Sequence, residues 1–332
     1  MAALRAALIG LGMMGRHHAR VLGSLDDVDL VASVDPMGDP HGVARGAVLR
    51  SVEEAVAAGI DYAVVAVPTA YHEEIGLQLA EAGVHALVEK PLAPGVESSQ
   101  RLAEAFESRG LVGAVGHIER YNPALQEARR RLAEGELGEI FQVATRRQGP
   151  FPARISDVGV IKDLATHDID LTAWVTQQEF VRVAAGIAHR SGREHEDLVS
   201  VVGELSSGIV TSHLVNWLSP MKERVTVITG EKGAFVADTL TADLTFFANG
   251  SVTTEWSEVA QFRGVSEGDM VRYAMPKPEP LRSEHEAFRD AVLGKESSIV
   301  TMEQGLRTVR VAESVLSSAI KGMSERIPSD SG

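Results

Sequence analysis

The sequence predicts a doubly wound α/β domain followed by an α+β domain with a large open mixed or antiparallel sheet. Three observations carry that expectation. Through residues 1–120, short apolar runs alternate with helix-period segments, the pattern of parallel strands joined by right-handed helical crossovers. Through residues 121–332 the strands alternate apolar and polar residues instead, as in Ile209-Val210-Thr211-Ser212-His213-Leu214-Val215, which suits antiparallel strands with one covered face. The length, 332 residues, favours two domains over one.

The first-domain elements follow in order. Ala6–Gly10 is a short apolar strand, Met14–Leu22 a helix, and Val28–Val34 a strand that ends at Asp35. Val52–Ala58 reads as helix. Tyr62–Val67 is a continuous apolar run, the mark of a strand buried on both faces. His72–Ala82 is helical and stops at Gly83, Val84–Val88 is a strand, Ser98–Arg109 is helical and stops at Gly110, and Leu111–Gly116 is the last strand. In the second domain a helix is expected over Pro123–Ala133 and another over Leu164–Val175. Strands are expected at Ile140–Arg147, Val181–His189, Asp197–Leu205, Ile209–Trp217, Arg224–Thr229, Gly233–Asp238 and Asp243–Phe247. Helices Ser283–Leu293 and Met302–Lys321 close the chain. Ala260–Arg282, rich in Gly, Pro and charge, reads as a long loop, and Ser324–Gly332 as a disordered end.

Composition narrows the chemistry. Apolar residues make up 44% and charged residues 23%, enough for an ordinary core. The formal net charge of −14 argues against nucleic acid or an anionic membrane as partner. With no cysteine, thiol nucleophiles, Cys-ligated zinc and iron–sulfur clusters are excluded. No His-x-x-x-His or His-Glu-x-x-His spacing occurs, so no metal site is expected. The apolar run near the N-terminus breaks at Gly10 and Gly12 and reads as a buried strand, not an export signal. A cytoplasmic protein is the expectation.

The motif with the clearest chemistry is Gly10-x-Gly12-x-x-Gly15. It follows a strand, opens a helix, and is followed 20 residues later by acidic Asp35. Gly10 permits a tight turn, Gly12 admits a pyrophosphate, and Gly15 lets helix and strand pack closely. The helix start offers free N–H groups and a positive dipole end, with Met13 and Met14 in its first turn. Asp35 suits ribose hydroxyls and repels a 2′-phosphate, which favours NAD; Arg16 or Arg45 leaves NADP open.

At this point the residues resemble a known family. Gly10-Leu11-Gly12-Met13-Met14-Gly15-Arg16-His17-His18-Ala19-Arg20 is similar to the N-terminal signature of the glucose–fructose oxidoreductase/inositol dehydrogenase (Gfo/Idh/MocA) family. So are Val65-Ala66-Val67-Pro68-Thr69-Ala70-Tyr71-His72, the block Glu89-Lys90-Pro91, and Lys162-Asp163-Leu164-Ala165-Thr166-His167-Asp168-Ile169-Asp170. The resemblance implies a Rossmann domain, a second domain with an open mixed sheet, NAD(P), catalysis by Lys90, Asp163 and His167, contact of Glu89 with the cofactor ribose, and homodimers or homotetramers built through the sheet. Gly116-His117-Ile118-Glu119-Arg120-Tyr121-Asn122-Pro123 and Arg154-Ile155-Ser156-Asp157-Val158-Gly159 resemble the sugar-nucleotide branch, similar to UDP-N-acetylglucosamine 3-dehydrogenases. Inositol-type members usually carry a Gly-Gly pair before the catalytic Asp, where this chain has Gly159-Val160-Ile161-Lys162.

The residue types support the same chemistry. Oxidising a secondary alcohol requires a base for the hydroxyl proton. Asp163 and His167, four apart, share a face if helical, so the carboxylate can orient the imidazole. Lys90 follows a parallel strand at the edge where ligands bind in such sheets, and its ammonium suits a developing alkoxide. Residue type alone does not choose between Lys90 and His167 as proton acceptor. Pro68 and Thr69 are expected at the nicotinamide end, with His72 at a helix start. His117, Arg120, Asn122, Arg154 and Asp170 are the candidates for substrate contact. Arg146, Arg147 and Arg154 suit either an anionic substrate or paired surface charges. Arg193-Glu194-His195-Glu196-Asp197 reads as a solvated turn. A carbohydrate dehydrogenase on a sugar or sugar nucleotide is thus the leading expectation. The alternatives are an inositol- or aldose-type enzyme on a neutral polyol, or an NAD-binding sensor without turnover.

Overall fold

The computed structural model describes residues 3–39, 41–44, 48–151, 158–250 and 266–328. The chain forms two compact units, one of residues 1–118 with 279–310, the other of residues 119–278 with 311–332. The division therefore differs from a single cut at residue 120, because Glu279–Arg310 returns to the first unit.

In the first unit, strands β1 (Leu4–Ile9), β2 (Val28–Val34), β3 (Val48–Leu49), β4 (Tyr62–Val65), β5 (His85–Glu89) and β6 (Gly113–Gly116) form one parallel sheet in the order β3-β2-β1-β4-β5-β6. The strand order reverses between β1 and β4, the switch point beside which ligands bind in such sheets. Tyr62–Val65 is buried along its whole length, as its unbroken apolar run implies. The crossovers are α1 (Met13–Leu22), α2 (Val52–Ala57), α3 (His72–Glu81) and α4 (Val96–Glu107). Ser51 caps α2 by accepting the Glu54 N–H. The returning helix α7 (Pro280–Val292) packs Phe288 edge-on to Tyr62 at 5.4 Å, inside the core of Ala6, Leu8, Val64 and Leu87.

The second unit is a nine-stranded sheet. Its strands are β7 (Ile140–Pro150), β8 (Phe180–Ala188), β9 (Leu198–Leu205), β10 (Val210–Asn216), β11 (Leu218–Gly230), β12 (Gly233–Asp238), β13 (Asp243–Gly250), β14 (Ser266–Arg272) and β15 (Glu325–Arg326). They lie in the order β14-β13-β12-β11-β7-β10-β9-β8-β15. β7 and β10 pair parallel and the other neighbours antiparallel, so the sheet is mixed. The helices α5 (Pro123–Ala133), α6 (Thr166–Thr176) and the later part of α8 (Met302–Lys321) share one core with the sheet, through Leu125, Ile169, Val215, Ile228, Phe235 and Val315. Phe141, Val202 and Val210 are about half exposed.

Two expectations change, and one short strand was not expected. Part of the loop expected over 260–282 is the edge strand β14, paired with β13, and α7 begins at Pro280. Its charges had masked a strand whose pairing, not its composition, holds it. The tail expected to be disordered contributes β15, whose Glu325 and Arg326 pair with Val183 and Arg182 of β8. The strand β3 is only two residues long, too short for any periodicity. Among the described residues no helix is long and apolar enough to cross a membrane.

One buried side chain makes the second unit sensitive to acid. His213 is 1% exposed, its Nδ1 2.9 Å from Thr145 Oγ1. Burial pushes its pKa from 6.5 down to about 4. The folded state keeps His213 neutral while the unfolded chain takes up a proton below 6.5. Stability is therefore complete above that value and lost as pH falls toward about 4, by roughly 3 kcal/mol from this group. In urea titrations between pH 7.5 and 4.5, His213→Gln is expected to flatten the decline. Parallel curves for parent and variant would show that other groups set the acid limit.

Candidate active site

The glycine loop of the first unit has the shape its spacing implies. Gly10 adopts φ +96°, a left-handed conformation costly for other residues. Its N–H donates to Val34 O at 2.8 Å, tying the loop to β2. A Cβ on Gly15 would lie 2.0 Å from Gly10 O, so α1 runs against the end of β1 as closely as backbone allows. A Cβ on Gly12 would meet nothing within 4 Å. Gly12 is the N-cap of α1, with no side-chain cap and no acidic residue in the first turn, which carries Met13 and Met14. An open cradle before bare N–H groups suits a pyrophosphate. Asp35 stands beside it. Its Oδ2 accepts the Leu11 N–H and its Oδ1 the Met37 N–H, both at 2.9 Å, so the carboxylate is fixed at the strand end.

The other expected cofactor residues cluster at two neighbouring strand ends. Pro68 caps a short 3-10 turn, Thr69–Tyr71, that leads into α3. His72 is buried, with Nδ1 2.9 Å from Pro91 O and Nε2 3.0 Å from Val67 O. It ties the loop after β4 to the turn after β5 and is a structural staple. Two facing carbonyls favour the protonated ring, yet burial dominates and pushes its pKa down. Glu89 ends β5. Its Oε1 lies 2.9 Å from His18 Nε2 and its Oε2 accepts the Lys90 N–H at 3.0 Å. Both carboxylate oxygens expected to meet the ribose thus have partners inside this unit. Lys90 follows directly, at the ligand-binding edge of the sheet. His117 is buried just after β6.

In the second unit, Asp163 and His167 lie on one continuous helical stretch, and both are buried. The stretch begins as a π-turn, Ile161–Ala165, and becomes α6 at Thr166. Such π-turns recur at functional positions. The residue that holds this turn is one the sequence misassigns. Glu196 is not solvated: it is 7% exposed. Its Oε1 accepts the Ile161 N–H at 3.0 Å and its backbone carbonyl accepts the Val160 N–H at 3.0 Å. A Cβ on Gly159 would lie about 2 Å from that carboxylate, so glycine is needed there. Its neighbour Asp197 accepts the N–H groups of Arg190 and Ser191. The Glu-x-Glu-Asp charges had suggested solvent; Glu194 is indeed exposed, and only the pairing shows Glu196 and Asp197 turned inward. Glu196→Ala removes the acceptor of a buried N–H, and an expected loss of about 1–3 kcal/mol should appear in urea unfolding. An unchanged midpoint would remove Glu196 from this role.

Three of the expected substrate residues, Arg120, Asn122 and Asp170, fall into fixed networks. Arg120 grips Asp170 with two bonds, Nε to Oδ2 at 2.8 Å and Nη2 to Oδ1 at 2.6 Å, both groups buried. Arg147 bridges Asp168 at 2.8 Å and Glu119 at 2.7 Å. Burial pushes the Asp168 carboxyl above its usual range despite that arginine. Arg146 pairs with Glu223 at 2.7 Å. The arginine cluster is therefore a set of ion pairs in its described members. Asn122 caps α5 by accepting the Ala124 N–H and donates to Thr239 O. Arg154, like Arg45, lies outside the described residues.

With this geometry in view, the comparisons with known proteins decide the family. Residues 4–117 match the model of an oxidoreductase family with an NAD-binding Rossmann fold, and residues 125–236 match the Gfo/Idh/MocA C-terminal domain. The chain belongs to the Gfo/Idh/MocA oxidoreductase family. Among curated members of the family, it is 31% identical over 212 residues to a UDP-N-acetylglucosamine 3-dehydrogenase of Acidithiobacillus ferrooxidans (63% of this chain, 66% of that protein). It is also 31% identical over 192 residues to a scyllo-inositol 2-dehydrogenase (NAD(+)) of Bacillus subtilis (54% and 56%). The aligned stretches thus span less than two thirds of these relatives' lengths. A solved structure of the Acidithiobacillus ferrooxidans enzyme matches over 96% of this chain and 98% of its own, with a TM-score of 0.80 and 26% identity. GenD2 from gentamicin A biosynthesis, solved with NAD, matches over 99% and 97%, with a TM-score of 0.81 and 26% identity.

Proposed function

We propose that this Gfo/Idh/MocA member is an NAD-dependent dehydrogenase that oxidises a secondary alcohol of a sugar nucleotide. The observation that carries the reading is the open cradle at Gly12 between the left-handed Gly10 and the tightly packed Gly15, with Asp35 fixed beside it. These residues would hold NAD through its pyrophosphate and adenosine ribose, and the bound cofactor supplies the hydride acceptor. Lys90 holds the substrate hydroxyl and stabilises developing negative charge on its oxygen. His167 takes the hydroxyl proton, and Asp163 orients the imidazole and supports its charged form. Arg120 and Asp170 act as one paired unit that braces α6, with Arg147, Glu119 and Asp168 as a second.

The similarity to the UDP-N-acetylglucosamine enzyme supports the sugar-nucleotide reading, as does Val160-Ile161 in place of a Gly-Gly pair. The similarity to the inositol enzyme favours a second reading, a neutral polyol. NADH absorbance with UDP-N-acetylglucosamine, scyllo-inositol and myo-inositol separates the two. Turnover of the UDP-sugar with kcat/KM at least tenfold above either polyol is expected, and the reverse order overturns the first reading. KM for NAD is expected well below that for NADP, because Asp35 repels a 2′-phosphate; a preference for NADP would sink that assignment. The half-exposed apolar side chains of the second unit's sheet support a homodimer or homotetramer, which light scattering would detect.

A further inference from the structure

Around Glu89 the first unit buries a row of titratable groups that neither a cofactor cradle nor a core requires. His18 on α1 is 0% exposed, and Glu284 and His285 on α7 are each 1% exposed. His18 Nδ1 lies 2.9 Å from His285 Nε2, and His18 Nε2 lies 2.9 Å from Glu89 Oε1. Glu89 Oε2 in turn accepts the Lys90 N–H. Three elements distant in sequence therefore converge on one carboxylate.

The protons of this row follow by elimination. Burial pushes the Glu89 carboxyl up, but the His18 bond, the Lys90 charge and the Lys90 N–H outweigh it and hold the group below its usual range. An ionised carboxylate only accepts, so His18 presents an N–H at Nε2. His285 is neutral, because burial and the adjacent His18 push its pKa well down. Its Nδ1 has no hydrogen-bond partner. Were His18 to donate at Nδ1 as well, His285 would have to accept at Nε2 and bury an N–H at Nδ1 without an acceptor, and orphaned buried N–H groups are rare. Both rings therefore carry their proton at Nε2, and every N–H of the row points toward Glu89. Glu284 has neither oxygen bonded, and burial together with the Glu89 charge pushes its pKa well above the usual range. The cluster so holds one negative charge, on Glu89.

We propose that His18 and His285 are positioning residues: their one-directional N–H row keeps the Glu89 carboxylate ionised and fixed, and Glu89 fixes the backbone from which the Lys90 side chain starts. The role assigned to Lys90 rests on the function proposed above; the row itself does not. The row predicts a coupled response. In Glu89→Gln the amide oxygen must stay with the Lys90 N–H, so the NH2 turns to His18. His18 must then accept at Nε2 and donate from Nδ1, and His285 must move its proton to Nδ1, where the exchange of carboxylate for amide forces the buried N–H without an acceptor that the parent avoids. One near-isosteric change thus flips both rings.

The test uses the full chain with 15N-labelled histidine and long-range proton–nitrogen NMR at pH 7.5, the two rings being assigned from His18→Gln and His285→Gln. The Nε2–H tautomer is expected on both rings in the parent, and the Nδ1–H tautomer on both in Glu89→Gln. An unchanged His285 ring in Glu89→Gln, or a doubly protonated His18 in the parent, overturns the row. Positioning is read from kinetics with NAD and UDP-N-acetylglucosamine. His18→Gln, whose amide N–H replaces the Nε2 donor, is expected to keep kcat within about threefold, while His18→Leu loses tenfold or more with KM for NAD within twofold. Equal losses in both variants, or a loss confined to KM for NAD, overturn the positioning role. A parent inactive on UDP-sugars and polyols alike overturns the proposed function and with it the part of the inference that reaches Lys90, while the ring tautomers decide the row separately.

Discussion

Lys90→Ala and His167→Ala are each expected to bind NAD within a few-fold of the parent and to lose turnover by roughly 10²–10⁴-fold, the usual contribution of a positioned acid–base group. The two losses arise differently. Lys90 follows β5 at the sheet edge where ligands sit, and its backbone N–H is already held by Glu89. Alanine keeps that bond and removes the ammonium assigned above to the substrate oxygen. His167 is buried on the helical stretch whose start Glu196 holds, so alanine removes the imidazole proposed as proton acceptor and leaves the Glu196 bonds to the turn in place. NAD affinity from protein fluorescence, together with kcat from NADH absorbance, tests both. Near-full activity in either variant removes that residue from the mechanism. A matching loss of NAD affinity would mean that the residue serves the cofactor instead.

The second large effect separates two glycines of one loop. In Gly15→Ala the new methyl would sit 2.0 Å from Gly10 O and 2.9 Å from Gly10 C. Both atoms are backbone, so no side-chain rotation relieves the overlap, and α1 must move away from the end of β1. Overpacking of this kind costs about 1–3 kcal/mol, and a displaced helix start no longer presents its N–H groups to a pyrophosphate. Gly12→Ala meets nothing within 4 Å, so the protein should melt as the parent does while the methyl occupies the cradle. Thermal melts and NAD titrations are therefore expected to lose both stability and binding in the first variant, and binding alone in the second. If Gly12→Ala binds NAD normally, the cradle is not where the pyrophosphate lies.

The geometry of the glycine loop was legible because its requirements are local in sequence. A tight turn, a close helix–strand contact and an acidic strand end each demand a residue type within 25 positions, and Gly10, Gly12, Gly15 and Asp35 supply them. The helical stretch with Asp163 and His167 was legible for the same reason, since a spacing of four is a property of one helix. Its π-turn was not, because no residue in Ile161–Ala165 marks it and its geometry depends on Glu196 reaching from 30 or more residues away. Arg120 and Asp170 were both picked out, but as separate contacts to substrate. Only folding shows that they are partners, 50 residues apart.

By itself, then, the amino-acid sequence determined the class of each domain, the backbone geometry of the glycine loop and the shared helical stretch of Asp163 and His167, because periodicity and motif spacing express backbone geometry over short distances. Only the tertiary structure decided which charges face inward and which strand pairs with which. Glu196 leaves the solvent, β14 and β15 join the sheet, and the Glu279–Arg310 segment returns to the first unit to place His285 against His18. The physical reason is that a buried ionisable group is tolerated only where a partner meets it, and here the partners come from elements far apart in the chain.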